Sequence, residues 1–162
     1  MPDMLKVRVW RGGHDGAFST YDVPREANQT VLDVVTYVQR QLEPSLSYRF
    51  SCRVGMCGSC AMTVNGKARW TCRTHVAKVV TGDSLEIAPL SNMPVIKDLA
   101  TDMREFFDKW ARAKGRFQGD RSRHDDFARV APDSAERLAA DAGIECIGCG
   151  VCYASCDVVT WC

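Results

Sequence analysis

Leu5, Val7 and Val9 alternate with Lys6 and Arg8, and this period of two predicts a strand with one buried face. After the turn-rich "GGHDG", the segment "AFSTYDVP" predicts a returning strand that Pro24 closes. The period then changes. Val31, Val35, Val38 and Leu42 recur at steps of four, three and four, which places them on one helical face. Thr30 and Asp33 form a capping pattern ahead of that helix, and Pro44 follows its end. Further on, "AMTVNGKARW" predicts two short strands around Asn65-Gly66, the dipeptide that best accepts the positive φ angles of a type I′ turn. "SLEIAPL" predicts a last strand. Strand, strand, helix, loop, hairpin and strand fit a small β-grasp sheet wrapped around one helix, over residues 1–93.

The second half has a different pattern. In "SNMPVIKDLATDMREFFDKWARAKG", Leu99, Met103, Phe106 and Trp110 lie at helical spacing with Gly115 as a stop, so an apolar helical stripe against a core is expected. "RFQGDRSRHDDFARV" is polar and irregular, a surface loop. In "PDSAERLAADAGI", Pro132 precedes a capping pattern from Asp133 to Glu136, which predicts another helix. The expected fold class is α+β, with an all-α second domain over residues 94–162.

Composition narrows the function. The chain has 162 residues and 46% hydrophobic content, enough for a packed core or two small ones. Net charge is +1 and "RSRHDD" mixes both signs, so the basic stripe of a nucleic-acid binder is missing. No run approaches the roughly 18 apolar residues of a membrane span, and "MPDMLKVRVW" has no signal-peptide pattern, so a cytoplasmic location is expected. Nine cysteines are many for a cytosolic chain, where thiols stay reduced. They fall in two tight groups, which suggests two metal centres.

The first group, "FSCRVGMCGSCAMTVNGKARWTC", holds Cys52, Cys57, Cys60 and Cys72 in C-x4-C-x2-C with a fourth cysteine eleven residues on. This is the plant-type [2Fe-2S] spacing. Gly55 and Gly58 let the backbone approach the sulfurs and turn N–H groups toward them, which raises the reduction potential. Arg53 and Arg73 flank ligands and could offset cluster charge, or be ordinary solvated arginines. A Cys₄ zinc site is the bland alternative, because zinc also takes four thiolates. The second group, "CIGCGVCYASC", holds Cys146, Cys149, Cys152 and Cys156 in the C-x2-C-x2-C-x3-C bacterial-ferredoxin spacing, whose fourth cysteine ligates another cluster when two are present.

With these two groups and "IAPLSNMPVIKDLATDMREFF" between them, the chain resembles the iron-sulfur subunit of succinate dehydrogenase and fumarate reductase, respiratory complex II, over essentially its whole length. The resemblance implies [2Fe-2S] on Cys52, Cys57, Cys60 and Cys72. It implies [4Fe-4S] on Cys146, Cys149 and Cys152 with a distant fourth ligand, and [3Fe-4S] on Cys156. It implies a quinone contact at Trp161, an FAD-containing flavoprotein partner and membrane anchor subunits. The chain would then be a peripheral subunit on the cytoplasmic side of a bacterial inner membrane. It would carry electrons between flavin and quinone in the tricarboxylic acid cycle and respiratory chain, while the substrate site lies on the partner. His14, His75 and His124 belong to no recognisable acid-base motif, in keeping with that division.

The match has breaks. The three centres need eleven ligands and the two motifs hold eight, so a full relay is not expected to assemble on this polypeptide alone. Cys162 follows Trp161 where the family commonly has Asn, and it is expected to be a non-ligand. Asp157 replaces the proline that commonly follows the run. Other readings kept open are an iron-sulfur module of a thiol-driven fumarate reductase or similar flavin-linked dehydrogenase, a zinc-stabilised interaction module, and a truncated product without electron transfer.

Overall fold

The computed structural model describes residues 3–115, 119, 121–127 and 129–161. Strand β1 (Met4–Arg11) pairs antiparallel with β2 (Ala17–Pro24) from Met4 opposite Pro24 to Arg11 opposite Ala17. Helix α1 (Val31–Tyr37) follows, then β3 (Ala61–Val64), β4 (Lys67–Trp70), the short helix α2 (Val76–Val79) and β5 (Ser84–Ala88). These strands form one mixed sheet in the order β2-β1-β5-β3-β4, in which β1 and β5 run parallel and the other pairs antiparallel.

The alternation in β1 is realised as drawn: Leu5, Val7 and Val9 are fully buried, and Lys6 and Arg8 face solvent. They pack in one cluster with Val31, Val34, Val35 and Val38 of the helix and Leu85 and Ile87 of β5. Complete burial of such a side chain stabilises by about 1.5–3 kcal/mol. Thr30 caps α1 reciprocally, accepting from the Asp33 amide while the Asp33 carboxylate accepts from the Thr30 amide. Leu42 departs from the expected face and is 42% exposed. Its cause is local: from Val38 the helix widens into a π turn, with the Glu43 amide donating five residues back to Val38, and the change of pitch rotates Leu42 away from the core.

Beyond residue 93 the chain is not purely helical. A hairpin of β6 (Val95–Lys97) and β7 (Ala100–Thr101) precedes α3 (Arg104–Arg112), so Leu99, expected on the helical stripe, lies in the turn and belongs to the first core. Asp98 at φ 53° makes that turn. Its carboxylate is 1% exposed and accepts from the Gly12 and Ser47 amides and the Arg11 guanidinium, which pins the hairpin against β1. Helix α4 (Ala135–Ile144) starts one residue later than the Asp133 pattern places it. Ser134 is the cap, accepting from the Arg137 amide. Two short helices, α5 (Val151–Ala154) and α6 (Asp157–Trp161), complete the described chain, and no helix among the described residues is long and apolar enough to cross a membrane.

A second apolar cluster joins the halves: Ala61 of β3 and Leu90 meet Met93, Phe106 of α3 and Ala154 of α5. Phe106 also meets Tyr153 edge-on at 5.4 Å, and Asn92 donates to the carbonyls of Tyr153 and Cys156, both at 3.1 Å.

Candidate iron-sulfur centre

The segment from Tyr48 to Cys60 lacks regular structure and leads from α1 to β3, and three of its residues take left-handed backbone angles: Arg53 at φ 60°, Gly55 at 78° and Gly58 at 67°. These reversals curl the loop so that amides point inward. Cys52 Sγ accepts from the amides of Met56 at 3.2 Å, Cys57 at 3.3 Å and Val54 at 3.5 Å. Cys57 Sγ lies 3.5 Å from the Cys52 amide and 3.0 Å from the Ser59 hydroxyl. A ring of N–H and O–H donors around sulfur is an environment made for thiolates.

The other two thiols come from the sheet side. Cys60 precedes β3, and Cys72 lies in the single turn Thr71–Arg73 after β4, so the β3–β4 hairpin returns the chain to its own start. Thr71 closes the return by donating its amide and hydroxyl to the Cys60 carbonyl. Cys60 and Cys72 are buried with Leu32, while Cys57 is exposed.

Their environments divide the thiols. The Ser59 hydroxyl first, then the Cys52 amide, hold Cys57 down at about 6. Burial, then the neighbouring Cys60, push Cys72 up to about 11. Arg73 lays its stem over the loop, where a Cβ on Gly55 would fall 3.0 Å from Arg73 Cγ, and the Arg53 guanidinium sits over the Phe50 ring at 4.8 Å. Ser59 and the inward amides of Val54 and Met56 are site features that cysteine spacing does not reveal.

Residues 5–108 match the family model for the 2Fe-2S iron-sulfur cluster binding domain. The chain belongs to that family. Its iron-sulfur assignment therefore covers the loop and hairpin that carry the first four thiols. The chain is 34% identical over 148 residues to the fumarate reductase iron-sulfur subunit of Haemophilus influenzae, a match spanning 85% of this chain and 57% of that one. It is 31% identical over 145 residues to the mitochondrial succinate dehydrogenase [ubiquinone] iron-sulfur subunit of Dictyostelium discoideum, covering 88% and 50%. The chain thus spans about half the length of these curated relatives. Among solved structures it is similar to a chain of the Mycobacterium smegmatis Sdh1 complex in the apo form, with a TM-score of 0.81, 30% identity, and coverage of 98% and 66%.

The second cysteine group of this family member lies around α5. Gly148 lies between Cys146 and Cys149 and Gly150 between Cys149 and Cys152, and they take φ angles of 64° and 74°. A Cβ on Gly148 would meet the Phe107 ring at 3.3 Å, so α3 backs this loop. Cys156 precedes α6, whose first residue is Asp157, an acid at a helix start. Trp161 is 80% exposed. Cys162 lies outside the described residues.

Proposed function

We propose that the chain is the electron-carrying iron-sulfur part of a succinate dehydrogenase or fumarate reductase. In this reading a β-grasp domain at 1–93 holds [2Fe-2S] on Cys52, Cys57, Cys60 and Cys72. A ferredoxin-type domain at 94–162 contributes Cys146, Cys149 and Cys152 to [4Fe-4S] and Cys156 to [3Fe-4S]. The observation that carries it is the convergence of three amides on Cys52 Sγ, within a loop bearing the C-x4-C-x2-C spacing. Such donors stabilise thiolates and bridging sulfides and raise the potential of a centre held there.

Bound at the first group, the centre supplies one-electron redox chemistry. The chain's own part is to hold the thiolates, shield Cys60 and Cys72 from water and leave Cys57 near the surface, where an electron donor can approach. An FAD-containing flavoprotein is the proposed donor, quinone beside Trp161 the acceptor and membrane subunits the anchor, on the cytoplasmic face of the inner membrane. The word ubiquinone in the Dictyostelium relative's name supports a quinone acceptor, and the Sdh1 complex supports assembly with other subunits; the flavin donor, the contact at Trp161, the anchor and the membrane face rest on the family resemblance. Isolating the protein under mild detergent from the cells that make it tests them. The expected result is co-isolation of a covalent or tightly bound flavin and an EPR signal that succinate elicits. A chain isolated without flavin, whose iron does not respond to succinate, contradicts the proposal.

A further inference from the structure

The two cysteine groups meet at Gly58 and Cys149. A Cβ on Gly58 would fall 2.4 Å from Cys149 Cβ and 2.9 Å from Cys149 Cα, with Ile147 Cδ1 at 3.4 Å. A side chain of any kind is therefore excluded, because the obstacle is backbone and Cβ rather than the movable end of a long side chain. Gly58 also joins Cys57 and Ser59 to Ile147, Gly148 and Cys149 along the wall of a shared cavity of about 240 Å³. The other reversed glycine of the first loop makes a useful contrast, since Gly55 has a similar φ but faces only the flexible Arg73 stem.

We infer that Gly58 is a positioning residue for exchange between the two centres, holding the first cysteine loop in van der Waals contact with Cys149 of the second. The inference rests on the reading that both groups hold iron-sulfur centres. Electron exchange weakens steeply with separation, so a missing side chain at the junction sets the rate without ligating anything. Ordinary loop geometry would explain a glycine at φ 67°. It does not explain why the space beyond it is filled by the other loop's cysteine.

Gly58→Asn and Gly55→Asn in the full chain separate these roles, because asparagine tolerates the left-handed backbone and both variants add a Cβ. In metal-free, reduced protein, alkylation by iodoacetamide is followed cysteine by cysteine by mass spectrometry. Gly58→Asn is expected to speed alkylation of Cys149 several-fold while Cys60 and Cys72 keep their wild-type rates. Gly55→Asn is expected to leave Cys149 unchanged. Equal Cys149 rates in the two variants overturn the inference, and so does equal acceleration at Cys60 and Cys72, which would report general loosening. In protein isolated with its partners from the cells that make it, with both centres in place, the microwave power that half-saturates the first centre's EPR signal is expected to fall in Gly58→Asn only, as the neighbouring paramagnet recedes. Unchanged saturation there also overturns it. Absence of iron and sulfide from the second group of the protein as isolated with its partners would instead count against the proposed function, and metal analysis shows that separately from the alkylation pattern.

Discussion

Each thiol of the first group is defined by the few atoms around it, and those atoms make distinct predictions. Cys52 takes three amides from its own loop, so its support survives any side-chain change there; Cys57 depends on the Ser59 hydroxyl. Ser59→Ala should leave iron content unchanged and make the reduction potential of the loaded first centre more negative, by up to about 60 mV, a tenfold change in a one-electron equilibrium. Protein-film voltammetry checks this, and an unchanged potential would mean the hydroxyl turns elsewhere once iron is bound. The cysteines themselves were legible because ligand spacing is written along the chain. Ser59 could have been noticed, as a hydroxyl between two cysteines. The Gly58–Cys149 contact could not, since the two residues lie far apart in sequence and meet only through the docking of α3 and α5 on the sheet.

Elements defined by neighbours in sequence were read with most success. The Thr30 cap and the Asn65-Gly66 turn, at φ 46° and 75°, rest on interactions within a few residues, and the β1–β2 hairpin pairs two strands that are consecutive in the chain. Thr30→Ala should therefore cost about 1 kcal/mol, seen as a lower urea midpoint with unchanged slope. The β6–β7 hairpin escaped because Leu99 fits a helical stripe by spacing, whereas its position is decided by Asp98, whose partners Gly12 and Ser47 are distant in sequence. Burial alone would push the Asp98 carboxyl up. The Gly12 and Ser47 amides and Arg11 outweigh burial and hold it below the usual range. A carboxylate depressed in the folded state adds stability above its unfolded pKa, near ~3.9, and that stability is lost as pH falls through the lower folded value. Asp98→Ala should destabilise by about 3–5 kcal/mol at neutral pH, since it leaves Arg11 and two amides without their buried acceptor. The gap to wild type should narrow in acid, as measured by urea unfolding at a series of pH values. A gap independent of pH would assign the loss to packing.

At the scale of the whole molecule, the sheet order joins β1 to β5 in parallel and carries β3–β4 on the far edge, so that Cys72 returns to the loop of Cys52. Local patterns do not encode that crossover; it follows from burying residues of β1, β2, β3 and β5 in one core with α1. The second cysteine group then docks through Ala61, Leu90, Met93, Phe106 and Ala154, which puts both groups in one packed body. The central claim is that the first group holds a two-iron centre. Anaerobic reconstitution with iron and sulfide, followed by EPR of the dithionite-reduced protein, tests it most directly, using wild type beside Cys52→Ala and Cys146→Ala. The account predicts a red-brown protein with a spin-one-half signal from a [2Fe-2S] centre, lost in Cys52→Ala and kept in Cys146→Ala. A colourless protein with one zinc per chain, or a signal that survives Cys52→Ala and vanishes in Cys146→Ala, would contradict it.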